Sequence, residues 1–355
     1  MFLLEKNLLI DSLQIKHFKG LNHVLLDDFS QVNIFVGANN CGKTSVLEAL
    51  KILSAPNDIG QIVHLALQRA RVSVQAWQKN LVNYLITMFQ RPADDTDCYH
   101  FNLRIGVKGK SYQYDATGRI VETVDSTGMP DDMLKVSVKR SEDGIPCDSL
   151  NFQIAGGENT IFYSDKKQLY HALYVSSATN YYRSCVKRLS DYIIRVGKAD
   201  VFQMLQTFDK SIDDISIVGE DIYLHSADCG SLPLFAYGAG MQKAIFLATY
   251  LAYCKNGVIL VDEIDNAIHI SAFEDVFTWF LDACRKWNVQ AFVTTHSAEA
   301  IDAILKTVHN QYQNEDILRI ITLRKDYSTN NTWTKVRSGE EAYHDRTCFE
   351  MELRV

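Results

Sequence analysis

The glycine-rich stretch Gly37-Ala38-Asn39-Asn40-Cys41-Gly42-Lys43-Thr44 has the residue types and spacing to bind phosphate. The apolar run Val32–Val36 precedes it, and a helical pattern from Ser45 to Leu53 follows. A G-x-x-x-x-G-K-T loop between a strand and a helix is typical of the phosphate-binding P-loop, whose backbone N–H groups and helix start point at phosphate oxygens. We expect Lys43 to contact the β- and γ-phosphates of a nucleotide and Thr44 to bind Mg²⁺. The residues predicted to bind the nucleotide here are Gly37, Asn39, Asn40, Cys41, Gly42, Lys43, Thr44 and Ser45.

A second buried strand ends in two carboxylates. The run Gly257–Val261 consists mainly of branched apolar residues and continues into Asp262 and Glu263. The carboxyl ends of parallel strands are where α/β sheets bind ligands. We therefore expect Asp262 to hold Mg²⁺, through water, and Glu263 to orient and polarise the attacking water.

A histidine follows a third apolar strand. The run Val289–Thr295 leads directly into His296 and Ser297, after which another helix is expected. Alone, a histidine at this position would usually belong to an ordinary turn. Because the same sequence also has a P-loop and a carboxylate pair, His296 is predicted to contact the γ-phosphate or the attacking water.

Small residues precede the apolar helix predicted from Ala244 to Cys254. The segment Tyr237-Gly238-Ala239-Gly240-Met241-Gln242 offers a second helix start that can accept an anion. Because the chain already has its own P-loop, this spare phosphate-binding position suggests contact with the nucleotide of another subunit. The alternative is a plain glycine turn before a buried helix.

The remaining patterns predict the elements that hold these segments. Ser271 and Glu274 have the spacing of a helix capping box, and an amphipathic helix with a buried aromatic face follows. In the middle of the chain, alternating residues predict separate strands over Tyr99–Val107, Lys110–Tyr114, Arg119–Val124 and Leu150–Ile154. The run Tyr170–Ile194 mixes aromatic and basic residues and is either an ordinary amphipathic helix or a nucleic-acid contact: Tyr181, Tyr182, Arg183, Lys187, Arg188 and Arg195.

Composition restricts the class of protein. The 355 residues carry 36 Lys and Arg against 43 Asp and Glu, a net charge of −7, so the charge does not indicate nucleic acid as a partner, although a local basic groove remains possible. The eight scattered cysteines form no metal-like spacing and are expected to be reduced. With neither a signal peptide nor an apolar run long enough to cross a bilayer, we expect a cytoplasmic protein that does not contact a membrane.

Taken together and in this order, the motifs resemble those of the ABC-type ATPases, in the branch shared by RecF, the SMC proteins and the overcoming-lysogenization-defect family. The phrase from Asp262 to His269 is similar to a stretch typical of small prokaryotic ATPases of this branch. The resemblance implies an α/β fold, namely a P-loop ABC-type head with a mixed or parallel central sheet, an N-terminal antiparallel β lobe and an insertion that is β-rich and then helical. It also implies ATP and Mg²⁺ as cofactors.

The resemblance implies a composite site as well. Two chains would enclose two ATP molecules, and Gly238 and Gly240 of one chain would contact the γ-phosphate held by the other. Lys19, at a strand end before the P-loop, would lie near the nucleotide. The sequence departs from the family signature, since Tyr237 stands where serine is usual and Ala239 interrupts the glycine pair. The resemblance also implies a glutamine that senses Mg²⁺, between the P-loop and the signature. The sequence does not identify which of the candidates it is: Gln61, Gln68, Gln75, Gln78 or Gln90.

We predict three regions: residues 1–90 and 206–355 form the two parts of the ATPase head, and residues 91–205 form the insertion. The interval between Lys43 and Asp262 shows no sustained heptads for coiled-coil arms. Because about 60 residues follow His296, we expect an ATPase core without a Toprim nuclease domain of its own.

Three functions are compatible with these features. The first is an ATPase, with slow turnover expected from its altered signature, whose ATP-driven assembly into a homodimer or larger homo-oligomer acts as a switch or sensor. It would control a separate effector, a nuclease or toxin, in anti-phage defence. The alternative is a RecF-like DNA-binding ATPase of repair or recombination. A stand-alone nuclease or toxin is disfavoured, because the remaining histidines form no HxH, HExxH or HNH-like pattern.

Overall fold

The computed structural model describes residues 8–70, 81–91, 98–124, 130–147, 149–155, 168–176, 182–313 and 315–354. A central six-stranded sheet contains β3 (Val32–Val36), β9 (Ala172–Val175), β13 (Val258–Val261), β14 (Gln290–Thr294), β15 (Leu318–Asp326) and β16 (Asn331–Ser338). The strand order is β16-β15-β3-β14-β13-β9. Only β16 pairs antiparallel, with β15, and the other pairings are parallel. The predicted α/β fold with a mixed central sheet is therefore confirmed.

A second sheet is antiparallel and contains the first two strands of the chain. It contains β1 (Ile10–Phe18), β2 (Leu21–Leu26), β4 (Cys98–Val107), β5 (Lys110–Val124), β6 (Pro130–Glu142), β7 (Ile145–Pro146) and β8 (Leu150–Ala155). Its order is β2-β1-β4-β5-β6-β7, and β8 also pairs with β6. The sheet thus joins the first two strands to the β-rich middle of the chain, whereas the placement of β9 in the central sheet assigns that strand to the head. The division of the chain at residues 90 and 205 stays a prediction.

Helices cover the central sheet, and a small three-stranded sheet accompanies them. The helices are α1 (Lys43–Ser54), α2 (Ile59–Ala70), α3 (Leu81–Ile86), α4 (Tyr182–Arg195), α5 (Ala199–Phe208), α6 (Ala239–Tyr253), α7 (Phe273–Lys286), α8 (Ala298–Gln311) and α9 (Gly339–Cys348). The small sheet is β10 (Ile212–Val218), β11 (Asp221–Ser226) and β12 (Gly230–Pro233). Among the described residues, no helix is long and apolar enough to cross a membrane.

The central sheet separates two hydrophobic cores, as alternation along its strands requires. In β3, Val32, Ile34 and Val36 pack into the core beneath α6, α7 and α8, whereas Phe35 packs on the other side with α1 and the antiparallel sheet. Because both faces of each strand are covered, β3, β13 and β14 are buried along their whole length, which explains their continuous apolar sequences.

Several predicted elements differ from the structure. Lys110–Tyr114 and Arg119–Val124 are one strand, β5, because Gly118 pairs with Val136 on one side and Tyr99 on the other and does not form a turn. The predicted capping box at Ser271 is wrong, because the backbone there forms a 3-10 turn and His269 Nδ1 accepts from the Ser271 N–H.

Two further corrections concern segment ends. α6 begins at Ala239, so the small residues predicted to precede the helix lie partly within its first turn. The aromatic and basic run from Tyr170 is not one helix, since it contains β9 before α4, and Tyr181 lies outside the described residues. Arg188 of this run packs against the rings of Tyr250 and Tyr253, at 5.1 and 5.8 Å.

Half of the cysteines are buried. None of the eight is paired within the described chain, and Cys41, Cys185, Cys254 and Cys284 are buried. Burial raises the pKa of Cys185 and of Cys254 to about 12. These two thiols are therefore protonated and unreactive at neutral pH.

Gln290 fastens the two large sheets to each other. This buried side chain accepts from the Ile10 N–H at 2.8 Å, and its amide group donates to the Ile10 and Ser30 carbonyls at 3.0 and 3.3 Å. It therefore connects β14 in the central sheet with β1 in the antiparallel sheet.

We predict that Gln290→Met lowers the free energy of unfolding by about 2–4 kcal/mol, because the substitution preserves volume and leaves buried backbone groups unpaired. Urea unfolding followed by intrinsic fluorescence measures the change. Gln153→Met on β8, where the side chain is exposed, is the matched control. Equal midpoints for the two variants would contradict the prediction.

Candidate functional site

The loop after β3 has a backbone that only glycine can adopt at two positions. Gly37 and Gly42 have φ angles of +148° and +105°. A Cβ atom on Gly37 would lie 2.3 Å from the Leu323 carbonyl oxygen, and one on Gly42 would lie 2.3 Å from Leu21 Cδ2. Larger residues are therefore excluded by both the conformation and the packing.

The Lys43 side chain bonds back to carbonyl groups of the loop that precedes it. Its ammonium donates to the Gly37 and Ala38 carbonyl oxygens at 2.8 and 3.0 Å. Helix α1 begins at this lysine with no side-chain cap and no acidic residue in its first turn. The N–H groups of the first turn, together with the lysine, thus provide the donors that an anionic phosphate needs.

Asp262 connects the second strand end with the loop. Its carboxylate is buried and accepts from Thr44 Oγ1 at 3.1 Å and from Thr294 Oγ1 at 2.7 Å. Thr294 is the last residue of β14, the parallel neighbour of β13. The hydroxyl and carboxylate oxygens of Thr44 and Asp262 are hard ligands in contact with each other, a donor set that suits Mg²⁺ completed by phosphate and water.

Glu263 has a backbone conformation that is rare for its residue type. Its φ is +52°, in the left-handed region. The Glu263 N–H donates to Thr294 Oγ1 at 2.8 Å, and the Glu263 carbonyl accepts from the Lys243 ammonium at 2.8 Å. Such strained positions persist where the surroundings fix them and are frequent at functional sites.

Lys243, from the second turn of α6, lies among carboxylates. Burial lowers the pKa of its ammonium, while the nearby charges of Asp265, Glu263 and Asp262 act in the opposite direction. The side chain therefore links α6 to the segment that follows β13.

His296 follows β14 within a segment fixed by short hydrogen bonds. Thr295 Oγ1 donates to Asp265 Oδ1 at 2.6 Å and accepts from the Ser297 N–H at 3.1 Å. The Ser297 hydroxyl then caps α8 by accepting from the Ala300 N–H. The residue before His296 is thus tied to the loop after β13, and the residue after His296 is tied to Thr295 and α8.

These segments enclose a cavity of about 710 Å³. Most of the predicted site residues line it, whereas Gly37, Cys41, Gly238 and Gly240 are not among the lining residues. The lining residues are Lys19, Gly20, Asn39, Asn40, Gly42, Lys43, Thr44, Ser45, Thr87, Phe89, Asp262, Glu263, Thr294 and His296.

Lys19 reaches the cavity from the turn between β1 and β2. Its φ is +53°, and its ammonium forms a buried ion pair with Glu48 of α1. The sequence predicts proximity to the nucleotide, and the structure adds that the charge of this lysine is already compensated.

The structure separates the glutamine candidates. Gln90 directly follows the cavity residue Phe89, and its Oε1 lies 3.2 Å from His17 Nδ1. Gln61 and Gln68 are on α2, where their side chains lie near Ser54 and His64. Gln75 and Gln78 lie outside the described residues. Gln90 is therefore the described candidate that adjoins a cavity-lining residue in the sequence.

The segment around Gly238 is open to solvent. Gly238 precedes α6 with no side-chain cap, and no atom lies within 4 Å of the position where its Cβ would be. A Cβ on Gly240 would lie 3.1 Å from the Ala267 carbonyl oxygen. The start of α6 is thus exposed and uncapped at Gly238, and neither glycine lines the cavity of its own chain.

The sequence interpretation missed Thr294 and Lys243 as members of the site. Two threonines directly before a histidine at a strand end were the only signal for Thr294. Lys243 had none, because its contact with the Glu263 carbonyl depends on how α6 packs.

Comparisons with known proteins agree with this geometry. The family described as "AAA ATPase domain" matches residues 9–107, and "AAA domain, putative AbiEii toxin, Type IV TA system" matches residues 160–302. An ATP/GTP phosphatase of Helicobacter pylori (strain ATCC 700392 / 26695) is 24% identical over 331 residues, covering 85% of this chain and 89% of the relative. An uncharacterized protein of Methanocaldococcus jannaschii is 29% identical over 117 residues, covering 33% of this chain and 98% of that protein.

Two solved structures share the fold. An SmcHead bound to the C-winged helix domain of ScpA has a TM-score of 0.54 at 14% identity and covers 94% of this chain and 99% of its own. A Smc head domain with an extended coiled coil, bound to the C-terminal domain of ScpA derived from Pyrococcus furiosus, has a TM-score of 0.52 at 11% identity and covers 97% and 100%. The chain therefore carries regions that match two AAA ATPase domain models and has the fold of an SMC head. The predicted resemblance and the predicted ATP hydrolysis are thereby confirmed.

We predict that Thr294→Val lowers the kcat of this ATPase by roughly tenfold or more, because Asp262 and Glu263 lose a shared anchor and small errors in catalytic geometry are costly. Thr294→Ser, which keeps the hydroxyl, should retain most activity, and nucleotide affinity should change little in both variants. Phosphate release and titration with a fluorescent ATP analogue measure the two quantities.

Thr307→Val is the matched control for this experiment. Thr307 is also buried, but its hydroxyl donates within its own helix to the Ala303 carbonyl. If Thr294→Val and Thr307→Val had the same kcat, the anchoring role of Thr294 would be refuted.

Proposed function

We propose that this ABC-type ATPase is an ATP-driven switch whose active site is completed by a second copy of the chain. The observation that carries the proposal is the exposed start of α6 at Gly238, which offers unsatisfied N–H groups and lies outside the cavity of its own chain. A helix start of this kind is suited to the γ-phosphate of a nucleotide bound by another chain.

Within one chain, the charged and polar residues nearest the expected phosphates have proposed roles. Lys43 and the N–H groups of the loop would hold the β- and γ-phosphates, while Thr44 and Asp262 would bind Mg²⁺, which supplies charge neutralisation of the phosphates. Glu263 would orient the attacking water, and His296 would contact the γ-phosphate or that water. The hydrogen bonds of Thr294 support these roles, because they fix Asp262 and the backbone of Glu263 together.

We predict that Glu263→Gln still binds ATP and hydrolyses it at least about 100-fold more slowly, as expected for loss of a general base. Because the closed assembly would persist, ATP should shift this variant to a larger species in size-exclusion chromatography with light scattering. Lys43→Ala should not bind nucleotide and should stay in the smaller species. Unchanged turnover in Glu263→Gln would remove this residue from the catalytic role.

Two substitutions of Gly238 that differ only in charge test whether the site is composite. We predict that Gly238→Asp abolishes ATP hydrolysis and ATP-driven assembly, because it places a carboxylate opposite the phosphate of the other chain. The position has space and a backbone that accepts either residue, so Gly238→Asn, an equally good helix cap without the charge, is the control.

Mixing two inactive variants completes this test. A Lys43→Ala chain has an intact Gly238 segment, and a Gly238→Asp chain has an intact P-loop, so one functional site should form in the mixed assembly. Each variant alone should be inactive. Absence of any regained hydrolysis on mixing, with co-assembly verified, would argue for a site contained within one chain.

We further propose that assembly controls a separate effector, a nuclease or toxin, in anti-phage defence. Support comes from the family description that includes a toxin of a toxin–antitoxin system and from the Smc head structures, which are bound to a partner protein. Copurification with the products of neighbouring genes, in Glu263→Gln against Lys43→Ala, tests the proposal, since the effector should bind one nucleotide state only. Hydrolysis stimulated by duplex DNA and weakened by salt would favour the RecF-like alternative instead.

A further inference from the structure

We propose that Arg354 is a positioning residue for the hydrolytic step, acting through the backbone of His296. The proposal rests on the proposed function insofar as His296 serves the reaction. Arg354 Nη1 donates to the His296 carbonyl oxygen at 2.8 Å, across 58 residues of sequence. The arginine itself does not line the nucleotide cavity. Any effect on the reaction therefore passes through His296.

The segment that carries Arg354 is firmly attached to the fold. Leu353 is fully buried in the core beneath α7 and α8, and its carbonyl accepts from the buried Thr322 hydroxyl at 2.7 Å. Arg346 of α9 donates to the Met351 carbonyl at 3.2 Å. We call residues 351–354 the C-terminal strap. Its anchoring means that Arg354 is presented to His296 from a fixed backbone.

Glu352 fixes the direction of the guanidinium group. It accepts from Arg354 Nε at 2.8 Å and from Arg354 Nη2 at 2.6 Å, a two-point contact, and also from the Arg354 backbone N–H at 3.0 Å. These hydrogen bonds lower the pKa of Glu352 to about 2, so it is ionised at neutral pH. The contact of Nε and Nη2 with Glu352 holds the plane of the guanidinium. Nη1 is then directed at the His296 carbonyl.

The carbonyl of His296 is the part of this loop that the neighbouring strands do not hold. Thr295 is fixed through Asp265, and Ser297 is fixed through Thr295 and its capping contact with α8. The peptide plane between His296 and Ser297 is held on its N–H side by Thr295 Oγ1, and its remaining rotation helps to set the direction of the imidazole in the cavity. The hydrogen bond from Arg354 restrains that rotation.

We expect Arg354→Ala to lower kcat by roughly tenfold, since displacements near 1 Å at a catalytic group can cost up to about 100-fold. The KM for ATP should change little, because the phosphate-binding loop is untouched. Arg354→Lys, which can still donate to the carbonyl, should recover part of the rate. A larger rise in KM than fall in kcat would overturn the proposal.

A double-mutant cycle shows whether the effect passes through His296. Arg354→Ala should have no further effect on kcat in a His296→Ala background, because the positioned side chain is already gone. Additive losses would overturn the proposal. Lys306→Ala is the control, since it removes a cation on α8 whose partner Glu274 is exposed, and it should leave the rate unchanged.

A measurement without turnover separates this proposal from the proposed role of His296. Amide hydrogen exchange over residues 295–298 should be faster in Arg354→Ala than in the parent chain or in Lys306→Ala. Faster exchange together with an unaffected rate in His296→Ala would refute the role of His296 while retaining the restraint. Unchanged exchange in Arg354→Ala would refute the restraint itself.

Discussion

The parallel pairing of β3, β14 and β13 is the constraint on which the site depends. In this pairing Val261 lies opposite Val293, and Thr294 lies opposite Phe35. The loops that follow the three strands consequently begin at one edge of the sheet, where the P-loop, the carboxylate pair and His296 meet. Because side chains alternate along a strand, a one-residue slip of β14 would turn the Thr294 hydroxyl away from Asp262. The hydrogen bond that joins the two strand ends at the site would then be lost.

Much of this arrangement could be predicted because its signals are local. The P-loop is recognisable from one continuous segment, and the apolar runs before Asp262 and His296 indicate strands covered on both faces. A few motifs on consecutive parallel strands therefore predict both the fold class and most of the residues that line the cavity.

Local patterns were insufficient where tertiary contacts select between alternatives. Ser271 and Glu274 have capping-box spacing without forming one, whereas Ser338 and Glu341 have the same spacing and do form one at the start of α9. The difference lies in His269, which occupies the Ser271 N–H and favours a 3-10 turn. Gly118 likewise predicts a turn and instead lies inside β5, between two strands that satisfy its backbone.

Two of the residues that hold the backbone around the cavity come from outside its own strands. Lys243 reaches the Glu263 carbonyl from α6, and Arg354 reaches the His296 carbonyl from the C-terminal strap. Neither contact has a sequence signature, because each depends on the packing of segments far apart in the chain. Each also places a buried or half-buried cation on a carbonyl whose residue faces the cavity.

These contacts have different mechanical consequences. The strap is anchored in the core, so its contact with His296 is a fixed restraint. Lys243 lies one turn beyond Gly240 in a helix whose start is exposed, and Glu263 has a strained left-handed backbone that needs external support. Displacing the start of α6 would therefore alter the support of Glu263, whereas it would leave the restraint on His296 in place. Glu263 is thus the cavity residue whose backbone depends on the position of α6.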